Sequence, residues 1–121
     1  MKSILLVDDS PTILASVGQL LERTGYKVTT AKHGEEACAL VDGGLTANIV
    51  ITDQNMPGMS GIDLIRTLRK KAGYRFTPML VLTTETQQVK REEAKAAGAT
   101  GWLVKPVAPD QLAAVLKKVS G

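Results

Sequence analysis

Short aliphatic runs, apolar at nearly every position, recur along this chain, and each is followed by a helical pattern. Ile4–Val7, Ile49–Thr52 and Met79–Leu82 are the clearest. Unbroken apolar runs of that length fit strands buried on both faces of a parallel sheet. Lys27–Ala31 instead alternates polar and apolar residues, as an edge strand does, and the short Gly101–Val104 suits the opposite edge.

Between the runs, apolar residues take helical spacing. Ile13, Leu14, Val17, Leu20 and Leu21 share one face, with Ser10 placed to cap the helix, Pro11 in its first turn and Gly25 to end it. Gly34–Val41 reads as a short helix, Ile62, Ile65 and Leu68 mark another, and Leu112, Val115, Leu116 and Val119 mark the last. The Ala-rich stretch Thr86–Ala97 has Val89 as its only large aliphatic residue, so it should be the most loosely docked helix. Five strand–helix repeats joined by short loops imply an α/β fold with an open, doubly wound five-stranded parallel sheet.

With 121 residues the chain has length for one core. Its single cysteine rules out an internal disulfide, and the apolar run after Met1 is too short for a signal peptide or a membrane span. A cytoplasmic protein with no membrane partner is expected. The net charge of +3 raises the question of nucleic acid. Much of it, however, sits in Arg66, Arg69, Lys70, Lys71 and Arg75, at and beyond the end of one predicted helix. There a solvated basic face also complements the helix dipole. No zinc finger, recognition helix or aromatic stacking patch accompanies these charges, so no nucleic-acid partner is expected.

In doubly wound sheets functional groups gather at the carboxyl ends of the strands. Those ends read Asp8-Asp9, Asp53, Thr83-Thr84 and Lys105-Pro106. Singly, each has a plain structural explanation: Asp9 or Ser10 as a cap, Asp53 as a turn former before Met56-Pro57-Gly58, Thr83 as a strand residue, Lys105 as a surface charge. Together they bring three carboxylates, a hydroxyl and an ammonium to one sheet edge. Carboxylates so close call for a hard cation with oxygen ligands, and Mg²⁺ fits where His and Cys are absent. A cation and a lysine around a carboxylate suit phosphoryl transfer, in which the carboxylate itself can be the nucleophile.

The motifs Leu6-Val7-Asp8-Asp9-Ser10, Ile51-Thr52-Asp53-Gln54-Asn55-Met56-Pro57-Gly58-Met59-Ser60-Gly61, Val81-Leu82-Thr83-Thr84 and Val104-Lys105-Pro106 resemble the receiver domains of two-component response regulators, along the whole chain. The resemblance implies a flavodoxin-like (βα)5 fold with strand order 2-1-3-4-5. It implies Asp53 as phosphoacceptor and Asp8, Asp9, Asp53 and the backbone carbonyl of Asn55 as the Mg²⁺ site, Asp9 binding directly and Asp8 largely through water. Lys105 would pair with the phosphoryl group, Thr83 would hydrogen-bond it, and the Lys105-Pro106 peptide would be cis. Trp102 occupies the place of a switch aromatic that is usually Tyr or Phe. A bulky indole there is either held inward already, biasing the unphosphorylated state toward activity, or turns inward by shifting the weakly packed helix above it, and the Ala-rich composition of that helix favours the shift.

The segments Val81–Glu85 and Gly98–Pro106 resemble the chemotaxis regulators of the CheY type. That implies a monomer phosphorylated by a histidine kinase and acting on a partner protein, with the flagellar motor switch as the target. Its own chemistry would be limited to taking up and slowly losing the phosphoryl group. Because the chain ends at Gly121, just after the last predicted helix, a single stand-alone receiver over residues 1–121 is expected. The alternative is a receiver cut from a longer regulator with a DNA-binding or enzymatic output domain. A flavodoxin-like electron carrier would share the fold. It would need a Thr/Ser/Gly-rich phosphate loop after the first strand and flavin-stacking aromatics, and aromatics are only 3% here. His33 is expected to be an exposed loop residue without a partner, and Cys38 half-buried helix filler.

Overall fold

The computed structural model describes residues 2–119. Five strands and five helices alternate: β1 Ser3–Val7, α1 Pro11–Arg23, β2 Lys27–Ala31, α2 Gly34–Asp42, β3 Ile49–Thr52, α3 Gly61–Arg69, β4 Met79–Thr83, α4 Gln88–Ala97, β5 Gly101–Val104 and α5 Pro109–Val119. All strand pairs are parallel, in the order β2-β1-β3-β4-β5, so the alternating Lys27–Ala31 run and the short Gly101–Val104 run are the two edges.

The aliphatic runs divide residue by residue between two cores. Leu5, Val7, Val50, Met79 and Val81 face α2, α3 and α4, meeting Ala37, Ile65, Leu68 and Ala94. Ile4, Leu6, Ile49, Ile51, Leu80 and Leu82 face α1 and α5, meeting Leu21, Leu112 and Leu116. Alternate side chains of a strand leave on opposite faces, so a sheet covered on both sides needs apolar residues at every position of its central strands.

Helix ends follow local chemistry. Ser10 Oγ accepts from Ile13 N–H (3.3 Å) and Ser60 Oγ from Asp63 N–H (3.1 Å), each capping the helix that starts beside it. His33 departs from expectation. It is exposed, but it is the N-cap of α2: Nδ1 accepts from Glu36 N–H (3.1 Å), while Glu36 Oε1 accepts from Lys32 N–H (2.6 Å). This resembles a capping box, with an imidazole where Ser or Thr is usual and the glutamate reaching the N–H one residue before the cap. Cys38 is half-buried against the core, as expected.

The fourth helix begins at Gln88, two residues later than read, without a side-chain cap, and Ala94 is its only buried residue. Val89 is 63% exposed. Its carboxyl end is held firmly all the same. Arg69 of α3 donates to the Gly98 carbonyl through Nε (3.2 Å) and Nη2 (2.6 Å), so α4 is tied at one end and lightly packed along its length. Arg69 therefore does not belong to a solvated basic face.

Candidate functional site

The carboxyl ends of β1, β3, β4 and β5 converge as the sequence implies. Asp8 directly follows β1 and extends its ladder, donating its N–H to Ala31 O (3.1 Å). Asp53 does the same after β3, donating to Val7 O (2.9 Å). Carboxylate oxygens of Asp8, Asp9 and Asp53 all lie within 4.8 Å of one another. Asp8 is 2% exposed and Asp53 9%, while Asp9 is exposed at the rim.

Each carboxylate is oriented by its neighbours. Asp8 Oδ1 accepts from Ser10 N–H (2.9 Å), and its Oδ2 takes the Lys105 ammonium at 2.6 Å. Asp53 Oδ1 accepts from Gln54 N–H (2.8 Å), which leaves Oδ2 facing Lys105 Nζ at 3.7 Å. Lys105 reaches this position from the end of β5, through its N–H bond to Thr83 O (2.8 Å) and a cis peptide to Pro106. Thr83 is fully buried at the end of β4, and its Oγ1 accepts from Glu85 N–H (3.3 Å). Asn55 is exposed on the loop two residues past Asp53.

One ammonium against three carboxylates leaves two formal negative charges uncompensated, with Asp8 and Asp53 buried and Asp9 exposed. Burying unpaired charge is costly, so the donor set invites a cation. The oxygens are hard donors, and the sole histidine is committed to capping α2. Among common ions these residues fit Mg²⁺, which binds through a few carboxylates and keeps its waters.

Two residues that sequence reasoning passed over hold this geometry in place. Gln54 is 5% exposed, and its Oε1 accepts from Ile62 N–H (2.9 Å), clamping the start of α3 to the Asp53 loop. Gly61 donates to Gln54 O (3.0 Å), and a Cβ there would overlap the Asp53 carbonyl oxygen. A glycine one residue after a capping serine, eight after the central carboxylate, was the available signal for so close an approach.

Trp102 lies on β5, half-buried, packed against the α2–α3–α4 core. Its Nε1–H donates to Glu85 O (3.2 Å), the residue whose N–H reaches Thr83. Glu85 thus links the hydroxyl at the site to the aromatic on the edge strand.

Strand order 2-1-3-4-5 and an acidic, lysine-bridged pocket at the strand ends define a flavodoxin-like α/β protein built around a central carboxylate. The family profile of the response regulator receiver domain matches residues 4–117, and the chain belongs to that family. It is 36% identical over 119 residues to the Chemotaxis protein CheY1 of Helicobacter pylori, covering 98% of this chain and 96% of that one. The crystallized Vibrio cholerae chemotaxis protein CheY4 is similar with a TM-score of 0.93 and 44% identity, covering 98% of both chains. The response regulator TrrA of Thermotoga maritima, solved in complex with Mg²⁺ and BeF, has a TM-score of 0.87 and 34% identity, covering 98% of this chain and 99% of that one. Among the described residues no helix is long and apolar enough to cross a membrane.

Proposed function

We propose that Asp53 is the phosphoacceptor of this receiver and that Asp8, Asp9, Asp53 and the Asn55 carbonyl hold Mg²⁺. The observation that carries the reading is the cluster itself: three carboxylates within 4.8 Å, one oxygen of Asp53 bonded to an amide and the other facing Lys105. Asp53 Oδ2 attacks phosphorus while the bond from phosphorus to the nitrogen of a phosphohistidine, or to the oxygen of a small acyl phosphate, breaks. The departing group keeps that electron pair, and a departing imidazole takes a proton from solvent. Bound Mg²⁺ would offset charge on the phosphoryl oxygens. Lys105 turns from Asp8 toward those oxygens, and Thr83 donates its hydroxyl to them. The chemistry of the chain ends at uptake and slow hydrolytic loss of the phosphoryl group.

The donor is a histidine kinase in the cytoplasm and the readout is a partner protein, with Trp102 reporting the switch. The likeness to CheY1 and CheY4 supports a place in chemotaxis with the flagellar motor switch as target, the chain acting as a monomeric receiver over residues 1–121. The native reading frame past Gly121 separates that from a receiver joined to an output domain. Intact-mass spectra after acetyl phosphate treatment test the chemistry. One phosphoryl increment is expected on wild type with Mg²⁺, and none on Asp53→Asn or after chelation. Equal labelling of both proteins removes Asp53 from its role.

A further inference from the structure

Between Asp63 and Glu85 the chain has five basic residues and no acidic one. The structure gives them different tasks. Arg66 pairs with Asp63 (3.4 Å) and Lys71 with Asp42 (2.7 Å). Arg69 turns inward, where burial lowers its pKa, and its Nη1 donates to the carbonyls of Tyr74 (3.0 Å), Arg75 (3.1 Å) and Thr77 (2.6 Å). Lys70 and Arg75 are exposed and make no ion pair among the described residues.

Phe76, the only phenylalanine, sits in the middle of that clamped stretch and is 93% exposed. A single exposed apolar residue is ordinary on a loop. The way this one is mounted is not. The carbonyls on either side of it are fixed by one guanidinium. Two residues earlier, Tyr74 is buried with its hydroxyl donating to Leu45 O (2.7 Å) and accepting from Ala47 N–H (3.0 Å). The ring therefore projects from a rigid backbone, beside a shallow depression of about 520 Å³ that Asn48, Gly73, Arg75 and Pro78 help to line. Asn48 and Pro78 precede β3 and β4, so this surface lies at the opposite end of the sheet from Asp53.

We propose that Phe76, with Arg75 and Lys70 on the same α3–β4 connection, is an anchor for an acidic segment of a partner protein, at a surface separate from the phosphorylation site. A rigid aromatic with few torsions loses little freedom on binding, and such residues carry much of the energy of interfaces. Two unpaired cations on the connection that carries it, with Arg75 lining the same depression, select carboxylates around the pocket that takes the ring. A second copy of this chain would bring the same cations against themselves, and two cations at about 1 kcal/mol each hold a membrane surface poorly.

The test replaces Phe76 by the photoreactive aromatic benzoylphenylalanine in the full chain, in cells, with mass spectrometry of the cross-linked segments. One discrete protein adduct is expected, joined at a segment of net negative charge. Its yield should fall about tenfold when Arg75→Glu and Lys70→Glu are added, the scale expected for a hot-spot contact. Calorimetry with that partner, once purified, should show Phe76→Ser weakening binding about tenfold while acetyl phosphate labelling stays unchanged. An adduct only with a second copy, only with lipid, indifferent to charge reversal, or absent altogether overturns the proposal.

Discussion

Lys105 Nζ lies 2.6 Å from Asp8 Oδ2 but 3.7 Å from Asp53 Oδ2, so the ammonium is held by the acid after β1 more closely than by the proposed phosphoacceptor. An ammonium on Asp8 would compete with a divalent cation held by the same oxygen. Lys105→Met should therefore bind Mg²⁺ more tightly in calorimetric titration. A competing contact of about 1 kcal/mol corresponds to roughly a fivefold gain. Without Mg²⁺ the same variant should lose about 2 kcal/mol of stability in urea, because buried Asp8 has lost its counter-charge, and saturating Mg²⁺ should restore it. Unchanged Mg²⁺ affinity would show that Lys105 does not compete.

Thr83 and Trp102 both hydrogen-bond one residue. Glu85 donates its N–H to Thr83 Oγ1 (3.3 Å) and accepts from Trp102 Nε1–H at its carbonyl (3.2 Å). If the Thr83 hydroxyl turns to a phosphoryl oxygen, the Glu85 amide loses its acceptor and the indole loses a fixed anchor. Beryllofluoride with Mg²⁺ should change the emission of this sole tryptophan, and Thr83→Ala should blunt the change. The shift can be no larger than the difference in affinity between the two states. A response to Mg²⁺ alone, with nothing further from beryllofluoride, sinks the coupling.

Two glycines should respond to alanine with opposite signs. At Gly61 the added methyl meets the Asp53 carbonyl oxygen, a backbone atom that cannot swing aside. Gly61→Ala should cost about 2–3 kcal/mol and slow phosphorylation with it. Gly18, inside α1, has nothing within 4 Å of an added Cβ. Gly18→Ala should gain about 0.5–1 kcal/mol through helix propensity alone. Urea unfolding of the two variants gives both signs in one experiment.

Burial pushes the Cys38 thiol pKa up, opposed in part by nearby Lys71. The folded chain therefore keeps this proton to higher pH than the unfolded chain. The contribution is fully present below the unfolded thiol pKa and is lost as pH rises through the folded one. Iodoacetamide should alkylate Cys38 more slowly than a free thiol near neutral pH. Stability should decline through the alkaline thiol range, less so in Cys38→Ala. Equal alkylation rates would contradict the shift.

Much of this protein was legible in one dimension because the relevant signals are local. Unbroken apolar runs mark strands covered on both faces, Ser10 marks a helix start, and polar residues that end strands lie at one sheet edge in any doubly wound fold. Asp8, Asp9, Asp53, Thr83 and Lys105 could be gathered in that way. The features that escaped depend on pairs far apart in sequence. Lys105 choosing Asp8 over Asp53, 97 and 52 residues away, is decided by the reach of a side chain from β5 across β4 and β3. The fit of Gly61 against Asp53 is likewise a matter of where α3 lands.

The basic stretch shows the division most plainly. Arg66, Arg69, Lys70, Lys71 and Arg75 are five like charges by composition, and the chain alone determines only their number and order. Tertiary structure turned Arg69 into a half-buried clamp on four carbonyls, gave Arg66 and Lys71 carboxylate partners and left Lys70 and Arg75 unpaired on the connection that displays Phe76. Periodicity and capping act within a few residues and are written along the chain. Desolvation and charge pairing depend on what a side chain meets in space, and only the packed molecule supplies that.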